Sequence, residues 1–240
     1  MNLFLASSSD ATNIVLNEEE SKHCIKVLRM TKGDSIHVID GKGSFFRATI
    51  VVDNPRQCIA KIDEKKEAFG DHGYSLHIAI APTKNISRFE WFLEKCTEIG
   101  INEITPILCE RSERKIIKPQ RLEKILLSAT KQSLKSRIPV LHPLVKLPQF
   151  LKQMQGYTED EKVQKFIAHC QDQKERKRLK QAYSTNEKVL ILIGPEGDFT
   201  ANEIQKTKTA GFSEISLGNS RLRTETAGLV ACHTIHLANQ

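Results

Sequence analysis

The chain has 240 residues, of which 39% are hydrophobic, and its 36 Lys and Arg against 29 Asp and Glu give a formal net charge of +7. This composition, with no long apolar run, excludes membrane-spanning, fibrous, disordered and disulfide-scaffold proteins. Residues 1–6 have neither a basic stretch nor a long apolar core, so we expect no signal peptide. A cytoplasmic enzyme or binding protein is therefore expected. The positive charge slightly favours a polyanionic partner, and without a long apolar run we expect no membrane partner.

The six cysteines are widely and irregularly spaced, and none forms a C-x-x-C pair. A structural zinc site needs clustered thiolates or imidazoles, so we expect no metal site and predict reduced, buried thiols. His233 and His236 could share one face of the last predicted helix, but two ligands alone do not make a metal centre. Packing is the better interpretation of these two side chains.

The first part of the chain, about 70 residues, is predicted to be a small and mostly β structure. Short strands separated by tight turns are typical of a compact barrel. The predicted elements are a strand at 13–16, a helical segment from Glu18 to Leu28, and strands at 35–40, 44–52 and 57–62. The polar, glycine-containing stretch 64–73 is predicted to be a linker.

The remaining residues alternate between strand and helix, which predicts a mostly parallel α/β sheet. The predicted strands are 74–82, 103–109, 166–170, 189–193 and 214–217. The predicted helices are 88–100, 119–133, 147–154, 173–183, 200–210 and 224–238. The run 189–193 is apolar without alternation, as in a central parallel strand that is buried on both faces.

Positive charge is concentrated between residues 110 and 140, where nine cations face three carboxylates and leave a net charge of +6. A solvated helix face with a basic loop explains such a run about as well as a phosphate-binding surface does. The cations at its start follow the end of a predicted strand, where α/β proteins place their ligands. That position favours the phosphate-binding interpretation slightly.

Two stretches have the pattern of ligand-binding loops between a strand and a helix. In the first, the strand 189–193 ends in Gly194-Pro195-Glu196-Gly197, and the two glycines allow a ligand to approach the backbone closely. It matches neither a phosphate-binding P-loop nor the dinucleotide fingerprint. In the second, Gly218 leads to Arg221 and Arg223 before a predicted helix. A tight turn or a helix cap would explain part of each stretch, but together they predict a shared pocket.

The motifs in these loops resemble those of the RsmE-type family, the 16S ribosomal RNA uridine-N3 methyltransferases of the SPOUT superfamily. The resemblance covers nearly the whole chain in the same order. It rests on Gly194-Pro195-Glu196-Gly197, on Leu217-Gly218 with Leu222-Arg223-Thr224-Glu225-Thr226-Ala227, and on three further segments beginning at His23, Lys95 and Ser128. Two positions depart from the pattern: Asp198 stands where the family usually has Gly, and Lys131 where Glu is common. We expect both to adjust the rim of the pocket.

The resemblance implies a PUA-like RNA-binding β-barrel over residues 1–72 and a trefoil-knotted SPOUT methyltransferase domain with a mostly parallel sheet over 73–240. It also implies S-adenosyl-L-methionine as methyl donor, a homodimer, and the 16S RNA of the small ribosomal subunit as partner. The cofactor would lie between loops 193–198 and 217–226. The expected cofactor-binding residues are Ile193, Gly194, Pro195, Glu196, Gly197, Leu217, Gly218, Asn219, Leu222, Arg223, Thr224 and Thr226.

The chemistry of N3 methylation indicates which residue types the site needs. Uracil N3 carries a weakly acidic proton and is a poor nucleophile at neutral pH, so the enzyme must assist deprotonation or stabilise the anion. Arg223 is the candidate for stabilising the developing negative charge. Glu196 or Glu225 could accept the proton or orient an arginine, and the sequence does not choose between them.

The expected RNA contacts are dispersed cations: Arg29, Lys84, Arg88, Arg111 and Arg114. For each of them, a solvated surface charge is an equally good interpretation. A SPOUT ribose 2′-O-methyltransferase and a non-catalytic RNA-binding assembly factor remain alternatives. Ser216-Leu217-Gly218 disfavours the ribose enzymes, which typically have Ser-Leu-Asn there, and two intact loops disfavour a factor that has lost activity.

Overall fold

The computed structural model describes residues 2–154, 163–171 and 176–240. The chain forms two compact units. The first comprises Met1–Asp71 and Leu127–Ile138, and the second comprises His72–Leu126 and Pro139–Gln240. None of the helices in the described ranges is long and apolar enough to cross a membrane.

The first unit is a closed five-stranded barrel with the strand order β1-β2-β5-β4-β3. Its elements are β1 (Leu3–Ser9), β2 (Asn13–Leu16), α1 (Glu18–Lys22), β3 (Ser35–Ile39), β4 (Phe45–Val52) and β5 (Ile59–Lys66). Alternate side chains of the strands, such as Ile36 and Val38 in β3, fill the interior. The expected small barrel is confirmed, and all four of its predicted strands start within two residues of their predicted starts.

Two features of this unit differ from the prediction. Strand β1 was not predicted, although it closes the barrel by pairing with β2 and, in parallel, with β3. Strand β5 continues to Lys66, so the first residues of the predicted linker pair with β4 instead. The polar side chains at this point indicated a linker, but polar residues are also expected on the outer face of a barrel strand, which is exposed to water.

The second unit is a parallel sheet with helices. Its elements are β6 (Ser75–Ile80), α2 (Ile86–Ile99), β7 (Glu103–Leu108), α3 (Pro119–Gln132), β8 (Val140–Leu141), β9 (Val145–Lys146), α4 (Leu147–Met154), β10 (Val163–Ala168), β11 (Lys177–Arg178), α5 (Leu179–Ala182), β12 (Lys188–Ile193), α6 (Ala201–Thr209), β13 (Ser213–Ser216) and α7 (Thr224–Ala238). Residues of α3 from Leu127 onward cluster with the first unit.

The sheet order is β11-β13-β10-β12-β6-β7-β8, and β9 also pairs with β7. All of these pairings are parallel, so the strands end at a common carboxyl edge. Strand β12 is central and buried from Val189 onward, as predicted. The loops after β10, β12 and β13 therefore meet where α/β proteins bind ligands.

The predicted helix 173–183 is confirmed only at Leu179–Ala182 within its described part. Residues 173–175 lie outside the described residues. Strand β11 follows, pairing with β13, and only Leu179–Ala182 is helical. The residues of this charged stretch favour a helix, but pairing with β13 at the edge of the sheet makes Lys177–Arg178 a strand. Tertiary contacts outweigh weak local propensity.

Helix α7, which begins at the site described below, packs closely on α2 and β6 through Gly228. A Cβ atom at Gly228 would lie 2.5 Å from the ring of Phe92 and 3.0 Å from Ile80. Phe92 is fully buried, so its ring has little room to move aside. Only a residue without a side chain fits at this crossing.

Gly228→Ala is therefore expected to destabilise the protein. Overpacking costs about 1–3 kcal/mol and should exceed the gain in helix propensity of about 1 kcal/mol. Urea unfolding measures the difference. In the background of Phe92→Leu, which leaves room for the methyl group, the same substitution should cost less. Equal costs in both backgrounds would show that the contact with Phe92 is not the cause.

Candidate active site

A recess of about 710 Å³ lies at the carboxyl edge of the second unit, where the loops after β10, β12 and β13 meet. We call it the main recess. Eleven of the twelve expected cofactor-binding residues line it: Ile193, Gly194, Pro195, Glu196, Gly197, Leu217, Gly218, Asn219, Leu222, Arg223 and Thr224. Thr226 lines a neighbouring recess instead. The two loops singled out from the sequence thus form one cavity.

The loop after β12 is held in a tight turn by Asp198. Its backbone N–H donates to the carbonyl of Pro195 (2.9 Å), and its φ of +61° lies in the left-handed region. The Asp198 carboxylate accepts hydrogen bonds from the N–H groups of Phe199 and Cys170, both at 2.8 Å. Asp tolerates this backbone conformation better than most residues, which explains how it replaces the family's usual glycine.

The loops after β12 and β13 are joined by a buried hydrogen bond. The Thr224 hydroxyl donates to the carbonyl of Gly194 at 3.0 Å, and Thr224 is the first residue of α7. Gly218 has a φ of +134°, and a Cβ atom there would meet nothing within 4 Å. The backbone at Gly218 therefore borders open space that a bound molecule could occupy closely.

A third wall, which the sequence analysis did not single out, comes from the loop after β10. It contributes His169, Cys170 and Gln171, together with Arg176. Gln171 donates to the Phe199 carbonyl at 2.8 Å, and Arg176 donates to the His169 and Gln171 carbonyls. The signal was available, because His169, Cys170 and Gln171 lie at or directly after the end of a predicted strand of a parallel sheet. Cys170 is exposed, whereas the other five cysteines are buried as predicted.

His169 is held between charged neighbours. Its Nε2 lies 2.9 Å from a Glu214 carboxylate oxygen, and its Nδ1 lies 3.2 Å from the Arg176 guanidinium. Burial lowers the pKa of His169 below its ordinary value, and the hydrogen bond to Glu214 opposes this only partly. The imidazole is therefore neutral at pH 7, donating from Nε2 and accepting at Nδ1.

A neighbouring recess of about 580 Å³ opens beside the main one, and Arg221, Leu222 and Arg223 line both. Its other lining residues are Ser87, Arg88, Trp91, Glu225 and Thr226. The Oε2 atom of Glu225 is buried and has no hydrogen-bond partner among the described residues. Its Oε1 atom lies 3.8 Å from the Arg88 guanidinium. A buried carboxylate oxygen without a partner is costly and marks a place where a donor could bind.

The two candidate glutamates have different surroundings. Glu196 is exposed, and its Oε1 atom accepts a hydrogen bond from the Lys84 backbone N–H at 2.8 Å. That contact joins the loop after β6 to the loop after β12. Glu225 is buried in the first turn of α7. Glu196 therefore has a structural task that Glu225 lacks.

Most of the expected RNA-binding cations have partners within the protein. Arg111 donates to the Gly197 carbonyl, and Arg114 donates to the Thr83 and Lys84 carbonyls. Lys84 forms an ion pair with Glu113 at 2.7 Å, which raises its pKa. These cations and Arg88 surround the loops of the main and neighbouring recesses. Arg29 lies in the first unit, exposed, with a φ of +57°.

Lys131 does not lie at the rim of the pocket, so that expectation is wrong. Its ammonium group forms an ion pair with Glu20 at 2.7 and 2.9 Å within the first unit. The pair is largely buried, and its partners are 111 residues apart in the sequence. A Lys at this position is compatible with the fold because a carboxylate faces it.

Comparison with known proteins matches each part of the chain to a protein family. The family described as "RNA methyltransferase domain" matches residues 71–236, and that described as "RNA methyltransferase PUA domain" matches residues 16–63. Ribosomal RNA small subunit methyltransferase E of Mesomycoplasma hyopneumoniae is 30% identical over 91% of this chain and 89% of its own length.

Two solved structures resemble the whole chain. A probable rRNA-methyltransferase from Porphyromonas gingivalis is 40% identical, with a TM-score of 0.88 over 100% of this chain and 98% of its own. A methyltransferase from Legionella pneumophila, solved with bound cofactor SAM, is 28% identical, with a TM-score of 0.82 over 99% of this chain and 96% of its own. The predicted fold class, a small PUA-like barrel followed by a mostly parallel α/β methyltransferase domain, is confirmed. The chain therefore belongs to the RNA methyltransferase family that includes ribosomal RNA small subunit methyltransferase E, and it is an RNA methyltransferase.

Proposed function

We propose that this protein transfers a methyl group from S-adenosyl-L-methionine to N3 of a uridine in the 16S RNA of the small ribosomal subunit. The observation that carries the proposal is the pair of adjoining recesses, one lined by three strand-end loops and the other containing the partnerless oxygen of Glu225. One recess would hold the methyl donor and the other the target base.

The residues of the main recess suit the cofactor. A volume of about 710 Å³ is within the usual range for small-ligand sites. The backbone at Gly218 borders open space, and the bond from Thr224 to Gly194 fixes two of the walls. When bound, the cofactor supplies an electrophilic sulfonium methyl group. The protein's task is to align the base with it, which makes an otherwise bimolecular step effectively intramolecular.

Glu225 is the proposed acceptor of the N3 proton. Its Oε2 atom is buried beside the residues that line both recesses and lacks a donor, so an N–H group entering the neighbouring recess would satisfy it. Glu196 already accepts the Lys84 N–H and is exposed. We therefore propose a positioning role for Glu196, which holds two loops of the site together. These surroundings favour Glu225 over Glu196 in the choice that the sequence left open.

Arg223 is the proposed electrostatic stabiliser. It is exposed, lines both recesses and forms no ion pair with any residue of the described ranges. A guanidinium between the two recesses could donate to O2 or O4 of the uracil as negative charge develops on the ring. Arg88, whose Nε lies 3.8 Å from Glu225, would help to orient that carboxylate.

For the complete enzyme, we propose the organisation that the family resemblance implies. Residues 1–72 would form the RNA-holding domain and residues 73–240 the catalytic domain, with a trefoil knot formed by loops 193–198 and 217–226. The protein would act in the cytoplasm as a homodimer. Arg29, Lys84, Arg88, Arg111 and Arg114 remain proposed RNA contacts. For Arg111 and Arg114, the guanidinium groups would also shape the loops whose carbonyls they bind.

Methylation of RNA by the purified protein tests this proposal. The protein would be incubated with S-adenosyl-L-methionine and either small-subunit ribosomal RNA or assembled small subunits, and the nucleosides analysed by mass spectrometry. We expect 3-methyluridine that depends on both protein and cofactor. A 2′-O-methylated nucleoside would contradict the base specificity. Cofactor binding in calorimetry without methylation of either substrate would indicate an RNA-binding factor instead.

A further inference from the structure

A second cavity of the catalytic unit, of about 460 Å³, lies apart from the residues that line the main recess. We call it the lysine recess, because three lysines from three different segments border it. Lys115 follows β7, Lys146 ends β9 and Lys206 lies in α6. The other lining residues are Leu108, Cys109, Glu110, Ser112, Leu147, Pro148, Leu151 and Glu203.

The three lysines are available to a ligand. Each is exposed, and none forms an ion pair with any residue in the described part of the chain. Of the two carboxylates present, Glu203 is buried, and its two oxygens accept the backbone N–H groups of Glu110 and Thr200, both at 2.8 Å. The exposed charge at the mouth is therefore mainly positive, which favours an anionic group.

The floor of the lysine recess is apolar and rigid. Leu147 and Leu151 are buried parts of α4, and they pack in the core of the sheet. The wall after β7 is fixed by Ser112, whose hydroxyl accepts the Cys109 N–H at 3.0 Å and whose own N–H donates to the Cys109 carbonyl. An apolar, preformed floor beneath a ring of cations suits a molecule with a flat apolar part and a phosphate.

The lysine recess and the main recess share one loop. Arg111 lines the main recess and donates to the Gly197 carbonyl, whereas its sequence neighbours Glu110 and Ser112 line the lysine recess. Consecutive Cα atoms are about 3.8 Å apart, so the two cavities adjoin across the thickness of one strand-end loop. The lysine recess therefore lies next to the proposed cofactor site.

Several other cations between residues 110 and 140 are engaged by described residues of the protein, whereas Lys115 of the lysine recess is not. The guanidinium groups of Arg111 and Arg114 donate hydrogen bonds to backbone carbonyls, and Arg121 forms an ion pair with Glu90. Lys115 is not paired in this way, and it lies beside two cations from outside that stretch. Lys118 and Lys124 of the same stretch are exposed as well, but neither lines the lysine recess, where Lys115 meets Lys146 and Lys206.

We infer that the lysine recess binds a nucleotide of the RNA substrate that flanks the methylated uridine. The base would lie against the apolar floor formed by Leu147 and Leu151, and its phosphates would contact Lys115, Lys146 and Lys206. This inference rests on the proposed function, since it concerns the same RNA. It adds a second point of attachment that would hold the strand in register while the target base enters the active site.

A triple variant, Lys115→Gln with Lys146→Gln and Lys206→Gln, tests the inference. We expect its affinity for small-subunit ribosomal RNA to fall at least about tenfold, and the slope of log K against log salt concentration to decrease in magnitude by about 2, from about 0.7 per lost phosphate contact. Cofactor affinity in calorimetry should not change. The matched control replaces Lys124, Lys152 and Lys180, which are equally exposed and lie outside the lysine recess, by Gln.

A second variant tests the recess without removing a lysine. Pro148→Glu places a carboxylate at the mouth, in the first turn of α4, where a negative charge suits the helix. It should weaken RNA binding while the melting temperature is maintained. Equal RNA binding by both triple variants, with an unaffected Pro148→Glu protein, would overturn the inference. Because the wild type is assayed for methylation in parallel, failure of the proposed function would be seen separately.

Discussion

Replacing Glu225 by Gln is expected to lower kcat for RNA methylation by about 10²–10⁴-fold, the usual contribution of a general base. The amide has the shape of the carboxylate but cannot accept the N3 proton. Because the Gln side chain fills the same buried volume as Glu225, the packing of α7 should be retained. Single-turnover kinetics with saturating cofactor and RNA would measure the chemical step directly.

Glu196→Gln is the matched control for this result. The Gln side chain keeps an oxygen that can accept the Lys84 N–H, so the two loops should stay joined. We expect only a few-fold loss of kcat, with cofactor affinity close to that of the wild type. If Glu196→Gln were the more damaging of the two substitutions, the assignment of Glu225 as proton acceptor would be wrong.

Arg223→Ala is expected to lower kcat by about 10²–10³-fold, as when one donor to a developing negative charge is removed. Arg223 is exposed at the N-terminal boundary of α7 and has no ion-pair partner among the described residues, so its removal leaves no buried charge behind. The fold should therefore persist, which a melting curve can verify. Methylation kinetics and cofactor calorimetry together separate the chemical step from binding.

Two further variants sharpen this prediction. Arg223→Lys keeps the charge but loses the planar fork of donors, so an intermediate rate is expected. Arg221→Ala removes a cation from the same loop, which also lines both recesses, and should have a smaller effect on kcat. Near-normal methylation by Arg223→Ala with intact cofactor binding would exclude the electrostatic role.

The local pattern predicted the parts of the fold in which local and global preferences agree. Helices α4 and α7 begin and end at their predicted residues, and β12 was recognised from its continuous apolar run. Strand β1 and the two-residue strands β8 and β9 were missed. Such segments become strands only through partners distant in the sequence, and no local periodicity announces them.

In the candidate site too, features encoded by local sequence were predicted, and features that depend on distant contacts were not. The sequence identified two of the loops that line the main recess, because their glycines and the family motifs are local features. It could not distinguish Glu196 from Glu225, since the difference is a backbone N–H from Lys84, 112 residues away in the sequence. Likewise, net charge counted Arg111 and Arg114 as free cations, although tertiary contacts engage their guanidinium groups.

The carboxylate of Asp198 has a mechanical consequence for the pocket. It binds the N–H of Cys170 in one loop while its own backbone turns in another. A glycine at this position would allow the turn but could not span the gap between the loops. In this protein, the walls after β10 and β12 are therefore linked, and they would shift together when a molecule enters or leaves.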